Sequence, residues 1–134
     1  MIGLDTNIII RYLMQDDKKQ FTLAEKIIES AIRHRNLLHV NLVVLCEVVW
    51  VLSYHYELSR EEICEFLSQV LHAEQIEVEN RQLALNAFHV YKDAQADFAD
   101  CVLGLLNQSL GCSTTYTFDK KAAKLSFFSL LAPK

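Results

Sequence analysis

Short apolar segments alternate along the chain with longer segments whose apolar positions recur every three or four residues. The longer segments are typical of amphipathic helices, and the short ones have the length of buried strands. We predict strands over residues 2–4, 38–41, 76–78 and 113–117, and a closing edge strand or extended tail over 127–131. Because strands and helices alternate, the crossover rule predicts an α/β fold with a parallel sheet and helices on both faces.

Helix starts are marked by residues that cap exposed backbone N–H groups. Thr6 and Asn7 offer capping side chains at the first helix. The spacing of a capping box occurs at two later helices, in the pairs Thr22 with Glu25 and Ser59 with Glu62. The apolar run over residues 42–52 has no clear period, and its length of about a dozen residues favours a helix over a strand.

Composition limits the class of protein. A length of 134 residues with 51% hydrophobic residues, three glycines and one proline predicts a single domain over residues 1–134. The net charge of −4 excludes a broad basic face, so any nucleic-acid binding would need a local basic rim, a metal ion or both. The four cysteines show no metal-ligand or paired spacing, and we expect reduced thiols and a cytoplasmic protein.

The N-terminal residues and the apolar runs carry no sign of export or membrane insertion. Asp5 precedes the first apolar run and Arg11 interrupts it, so we expect no signal peptide. No apolar stretch reaches the roughly 20 residues that a bilayer-spanning helix needs. We therefore expect no association with a membrane.

Five acidic residues stand at positions where carboxylates need an explanation. Asp5 and Asp119 each follow a predicted strand, Asp97 and Asp100 open a helix three residues apart, and Glu47 interrupts the apolar run. Each has an ordinary interpretation on its own: an N-cap for an aspartate, and a salt bridge or a water-facing helix edge for Glu47. The functional interpretation is a metal ligand or a catalytic acid.

Considered together, the five acids favour the functional interpretation. In a doubly wound domain, these positions can converge on one side of the sheet. Carboxylates with no histidine or cysteine among them favour hard divalent cations such as Mg²⁺ or Mn²⁺ over Zn²⁺. This combination is typical of metal-assisted hydrolysis of phosphodiesters.

Four segments resemble the motifs of the PIN domain family, and most closely the VapC-type toxins of type II toxin–antitoxin systems. They are Asp-Thr-Asn-Ile-Ile-Ile-Arg-Tyr-Leu at 5–13, Val-Leu-Cys-Glu-Val-Val-Trp-Val-Leu at 44–52, Asp-Phe-Ala-Asp-Cys-Val-Leu at 97–103 and Thr-Phe-Asp-Lys-Lys-Ala-Ala at 117–123. The resemblance implies a three-layer α/β/α fold with a short central parallel sheet of four to five strands. It also implies a Mg²⁺-dependent endoribonuclease, in which Mn²⁺ can replace Mg²⁺.

The resemblance assigns roles to individual residues. It implies catalytic roles for four acids, which are Asp5, Glu47, Asp100 and Asp119. It implies metal ligation by an overlapping set, which is Asp5, Asp97, Asp100 and Asp119. The hydroxyls of Thr6 and Thr117 and the amide of Asn7 would orient these carboxylates or a metal-bound water.

The resemblance also implies partners. They are an RNA substrate, a cognate VapB-type antitoxin that neutralises the toxin, a second copy of the chain in a homodimer, and a toxin–antitoxin hetero-oligomer. A basic rim for RNA phosphates could come from Arg11, Lys120, Lys121 and Lys124, although for any single one of them a solvated surface charge is the preferred interpretation. Tyr12, Trp50 and Tyr54 could stack on bases, but their helical spacing favours packing in the core or between subunits.

Other functions fit less well. The sequence has neither a P-loop nor a Gly-rich dinucleotide loop. A receiver domain would need an acidic pair after the first strand, and a haloacid-dehalogenase-type phosphatase would need Asp-x-Asp, where this chain has Asp5-Thr6-Asn7. The alternative from a different class is a non-catalytic PIN-like domain whose task is binding another protein.

Overall fold

The computed structural model describes residues 1–133 and forms an α/β structure with short strands and longer helices. The elements are β1 (Ile2–Gly3), α1 (Thr6–Met14), α2 (Lys18–Arg33), β2 (Leu38–Val40), α3 (Leu42–Tyr54), α4 (Arg60–His72), β3 (Ile76–Val78), α5 (Arg81–Asp93), α6 (Phe98–Ser109), β4 (Thr115–Thr117), a 3₁₀ helix (Ala122–Lys124) and β5 (Phe128–Leu130). Within residues 1–133, no helix combines the length and the apolar character needed to cross a membrane.

The chain divides into two compact units, Met1–Arg81 and Gln82–Lys134. In the first unit, β1, β2 and β3 form a parallel sheet in that order, with Ile2 opposite Leu38 and Leu38 opposite Ile76. Helix α1 packs on α2 and on α3. Leu45, Val48 and other apolar residues of α3 are buried, so this helix forms a large part of the core of the first unit.

The second unit contains the parallel pair of strands β4 and β5, and α6 packs on β4. Phe98, at the start of α6, is fully buried with its ring edge-on to Tyr91 at a centroid distance of 5.6 Å. Gly104 lies where α6 passes close to the rings of Phe127 and Phe128, and only a residue without a Cβ fits there without displacing them.

The predicted α/β class with parallel strands is confirmed. The five strands hydrogen-bond as a three-stranded and a two-stranded sheet, so the largest described sheet has fewer strands than the four to five expected. Short apolar segments predict the positions of strands of two or three residues. They do not show which strands pair with one another, so the division into two sheets could not be predicted. The prediction of a single domain over residues 1–134 stays a prediction.

The first residues of the helices show which of the predicted helix caps are correct. At α4, the capping box is confirmed: Ser59 Oγ accepts from Glu62 N at 3.1 Å, and Glu62 Oε1 accepts from Ser59 N at 2.9 Å. The capping box predicted at Thr22 is wrong, because α2 begins at Lys18 and Asp17 caps it by accepting from Gln20 N at 3.0 Å. Asp is as good a cap as Thr, and the earlier cap adds a turn to the helix.

Candidate active site

Asp5 follows β1 and is the N-cap of α1. Its carboxylate Oδ1 accepts a hydrogen bond from the backbone N–H of Thr6 at 2.7 Å, and its side chain is exposed. The cap is therefore Asp5 itself, and the prediction that Thr6 or Asn7 caps this helix is wrong. Capping uses one carboxylate oxygen, which leaves the second oxygen available for a further interaction.

Glu47 lies on the exposed side of α3, whose start is capped by Asn41 through a 2.8 Å hydrogen bond from Val44 N. The other face of α3 is buried in the core, so the helix itself positions Glu47 at the surface. Glu47 Oε1 accepts a hydrogen bond from the hydroxyl of Thr6 at 3.0 Å. The contact brings together two residues that are 41 positions apart in the sequence.

Asp5, Thr6 and Glu47 line an open cleft of about 530 Å³ in the first unit. The remaining residues that line it are Asn7, Ile10, Arg11, Trp50, Val51, His55 and Tyr56. The structure thus brings two of the predicted acids together with two of the residues predicted to orient them. The position of His55 and Tyr56 in this cleft was not anticipated, since neither belongs to a recognisable motif.

Arg11, predicted as part of an RNA-binding rim, lies in this cleft with internal partners. Its Nε donates to Gln20 Oε1 at 2.5 Å, and its Nη1 lies 3.7 Å from Asp16 Oδ1. The same Asp16 accepts a 2.7 Å hydrogen bond from the hydroxyl of Tyr56, and this bond lowers the pKa of Asp16. The guanidinium is therefore oriented by a small polar network at the edge of the cleft.

The second unit carries a group of three acids. Asp97 is at the N-cap position of α6, but its side chain makes no capping hydrogen bond; its backbone carbonyl accepts from Asp100 N and Cys101 N. Asp100 is half-buried in the first turn. Burial raises the pKa of Asp100, and the negative charges of Asp119 and Asp97 raise it further. Asp97 and Asp119 therefore lie close enough to Asp100 for their charges to act on it.

Asp119 shapes the turn after β4. Its Oδ1 accepts from the backbone N–H groups of Lys121 at 2.8 Å and Ala122 at 3.0 Å, and its own N–H donates to Thr117 Oγ1 at 3.0 Å. Thr117 thus contacts the backbone of Asp119 and holds the turn that carries the carboxylate. Lys120 and Lys121 are exposed in the same turn.

The donor chemistry of these residues suits a hard divalent cation, because carboxylate oxygens are the ligands that Mg²⁺ and Mn²⁺ prefer. Burial, and then the charges of Asp119 and Asp97, raise the pKa of Asp100, and a nearby cation would oppose both effects by favouring the charged carboxylate. Over residues 1–133, however, no three His, Cys, Asp or Glu side chains are placed so that they could hold a metal ion together. Metal ligation by Asp5, Asp97, Asp100 and Asp119 stays a prediction.

Trp50 and Tyr54 do not pack in the core, and of the two kinds of packing that their helical spacing favoured, packing between subunits stays a prediction. Their exposed fractions are 59% and 58%, and their rings contact each other at a centroid distance of 5.4 Å. They lie on the same exposed side of α3 as Glu47. Because most residues of this helix are apolar, the sequence pattern did not distinguish its exposed side from its buried side. Tyr12, by contrast, packs against buried Ile28, Ala31 and Leu38.

Comparison with known proteins identifies the family to which the chain belongs. The model of the PIN domain family matches residues 2–128. The chain is 27% identical over 124 residues to a protein named VapC ribonuclease from Aquifex aeolicus (strain VF5), covering 92% of this chain and 91% of the relative. No solved structure matched. The chain therefore belongs to the PIN domain family.

Proposed function

We propose that this chain is a VapC-type endoribonuclease toxin that hydrolyses RNA phosphodiester bonds in a reaction dependent on Mg²⁺ or Mn²⁺. The observation that carries the proposal is the placement of Asp97 and Asp100 at the start of α6 with Asp119 near enough for its charge to act on Asp100. The similarity over almost the whole length to a VapC ribonuclease supports the choice of RNA as substrate.

The proposal assigns a role to each of the five acids. Asp5 and Asp100 would be the main metal ligands, with Asp97 and Asp119 as further ligands and Glu47 completing the acidic set. When bound, the cation would supply an attacking water of lowered pKa and would stabilise the leaving oxygen. An acidic site repels a phosphate backbone, so activity should require the cation absolutely.

The protein's own part is to hold these carboxylates in place. The Thr6 hydroxyl fixes the rotamer of Glu47, and the Thr6 N–H holds one oxygen of Asp5. The N–H groups of Lys121 and Ala122 fix Asp119 Oδ1. Asp100 lies in the first turn of α6, where the helix dipole favours a negative charge and offsets part of the cost of burial.

Substrate and partner follow from the same electrostatics. Lys120 and Lys121 directly follow Asp119 in the sequence, and Arg11 lines the cleft that contains Asp5 and Glu47, so we assign these three residues contacts with RNA phosphates. A cognate VapB-type antitoxin would neutralise the enzyme, with an Arg or Lys side chain replacing the charge of the metal at the carboxylates. We further propose that the active form is a cytoplasmic homodimer and that the inactive form is a toxin–antitoxin hetero-oligomer.

One observation favours a second candidate, a PIN-like domain that binds a protein partner without catalysis. No three potential ligands among the described residues are arranged to hold a metal ion. A domain that only binds a protein partner needs no such arrangement.

Cleavage of a mixed pool of cellular RNA by the purified chain separates the two candidates. The reactions contain Mg²⁺, Mn²⁺ or EDTA, with Asp5→Asn as the matched variant because asparagine retains the helix cap. Discrete products that need metal and disappear in Asp5→Asn support the nuclease. Intact RNA in every reaction with folded, antitoxin-free protein supports the binding domain.

A further inference from the structure

An exposed pair of aromatic rings adjoins the cleft that contains two of the proposed catalytic acids. Trp50 lines this cleft together with Asp5 and Glu47. Tyr54 lies one helical turn beyond Trp50, and the planes of the two rings are inclined by 34°. Both rings project from a helix whose opposite face is buried in the core, so the fold presents them side by side at the surface.

We propose that Trp50 and Tyr54 form a stacking platform for an unpaired nucleobase, which places the neighbouring phosphate of the RNA beside Asp5 and Glu47. The proposal rests on the ribonuclease function proposed above. It makes Trp50 a specificity-determining residue, because a base enclosed in a duplex cannot present its face to an aromatic side chain.

The chemistry of the surface favours a nucleobase. Aromatic rings stack on every base, and this contact needs no positive charge. A platform of this kind therefore suits a chain with a net charge of −4, which lacks a broad basic face. Arg11, on the same cleft, is oriented by Asp16 and Gln20 and supplies a cation for the adjoining phosphate.

The same arrangement disfavours a second copy of the chain as the occupant. Exposed residues of α3 recur along one side of the helix in the order Val43, Glu47, Trp50 and Tyr54. A symmetric interface centred on this stripe would bury Glu47 from both copies, and removing a charged carboxylate from water is costly without a cation. RNA with a divalent cation brings the compensating charge with it.

Trp50 is the one tryptophan in the sequence, so its fluorescence reports stacking directly. The full-length Asp100→Asn variant, which is expected to bind RNA without cleaving it, is titrated with single-stranded oligoribonucleotides in Mg²⁺. The same sequences are then added as duplexes and as strands with abasic sites. We expect quenching by the single strands, and little quenching by the duplexes or by the abasic strands.

Substitutions at Trp50 complete the test in the cleavage-competent protein. Trp50→Leu keeps an apolar side chain but has no aromatic face, and we expect kcat/KM to fall by roughly 5- to 100-fold, with Trp50→Phe retaining most of the activity. Val43→Ala, which changes an exposed residue of the same helix outside the cleft, should leave the rate unchanged.

Several outcomes overturn the proposal. Unchanged cleavage in Trp50→Leu, or equal quenching by single strands and duplexes, contradicts stacking while leaving the ribonuclease intact. A change of molecular mass from dimer to monomer in Trp50→Leu, without quenching by RNA, assigns the face to a second copy instead. Absence of metal-dependent cleavage by the wild-type chain is a separate result, because it contradicts the function on which the platform depends.

Discussion

The hydroxyl of Thr6 donates a 3.0 Å hydrogen bond to Glu47 Oε1 and so connects the start of α1 to the middle of α3. The same residue uses its backbone N–H to bind Asp5 Oδ1 at 2.7 Å. One threonine therefore orients two carboxylates through two different groups. This relationship makes Thr6 a positioning residue, whose removal should impair the reaction more than the fold.

Thr6→Val replaces the hydroxyl with a methyl group of similar size. We expect cleavage to fall by roughly 10- to 100-fold, because loss of an orienting hydrogen bond has effects of this size at metal sites. The hydrogen bond from the Thr6 N–H to Asp5 is retained, and the lost exposed hydrogen bond contributes at most about 1 kcal/mol, so the free energy of unfolding should fall by no more than that. The measurements are the initial cleavage rate and denaturant unfolding.

Thr6→Ser is the control for this prediction, because serine keeps the hydroxyl. Its activity should stay close to that of the wild type. Equal losses in the Ser and Val variants would show that the methyl group of Thr6, and not its hydroxyl, matters for the reaction.

Two substitutions at Asp5 separate its capping role from its chemical role. Asparagine caps a helix about as well as aspartate, so Asp5→Asn should unfold at nearly the wild-type denaturant concentration. Asp5→Ala removes the cap and should lower the free energy of unfolding by about 1 kcal/mol. Both variants should lose cleavage. Cleavage that survives in Asp5→Asn and fails only in Asp5→Ala would mean that Asp5 is a structural cap.

The raised pKa of Asp100 gives a prediction for stability as a function of pH. A carboxyl group whose pKa is higher in the folded state destabilises the fold when it is charged. Asp100→Asn should therefore melt at a higher temperature than the wild type at pH 7 without metal. The gain should be at most about 1 kcal/mol, because the side chain is only half-buried and solvent screens it.

The gain should shrink as the pH falls through the raised pKa towards the ordinary value of 3.8, where the wild-type carboxylate is itself protonated. Mn²⁺ should raise the melting temperature of the wild type more than that of Asp100→Asn, since it binds the folded form. A lower melting temperature for Asp100→Asn at pH 7 would contradict the predicted electrostatic strain.

Gly104 supplies a prediction about the fold alone. A Cβ at this position would overlap the ring of Phe127 and lie 2.7 Å from Phe128 Cε2. Alanine is the better helix former by about 1 kcal/mol, but overpacking against two rings typically costs about 1–3 kcal/mol. We expect Gly104→Ala to lower the melting temperature, whereas Gln108→Ala on the exposed side of the same helix should not. A higher melting temperature for Gly104→Ala would show that the rings move aside easily.

Much of the fold was predictable because local signals and the apolar pattern agree. The Ser59–Glu62 capping box depends only on residues three positions apart, and the structure has both of its hydrogen bonds. The start of α2 was misplaced because Asp17 and Thr22 are both good caps, and local sequence does not decide between them.

The candidate site was predictable as a set of acids and not as an arrangement. The motifs identified five candidate acids, which are Asp5, Glu47, Asp97, Asp100 and Asp119. The Thr6–Glu47 contact and the network of Arg11, Asp16 and Tyr56 join residues far apart in the chain, and only the fold reveals them. The exposure of Trp50 could not be predicted because α3 is apolar around most of its circumference, so periodicity does not distinguish its exposed side.

The most direct test of the central claim is the rate of RNA cleavage measured against metal concentration for the wild type, Glu47→Gln, Asp100→Asn and the double variant. If Glu47 and Asp100 are both needed for the metal-dependent reaction, the wild type cleaves only with Mg²⁺ or Mn²⁺, and each single variant loses nearly all activity. The double variant is then no worse than either single variant, as expected for groups that act together. Cleavage that persists in EDTA, or full activity in either single variant, would contradict the account.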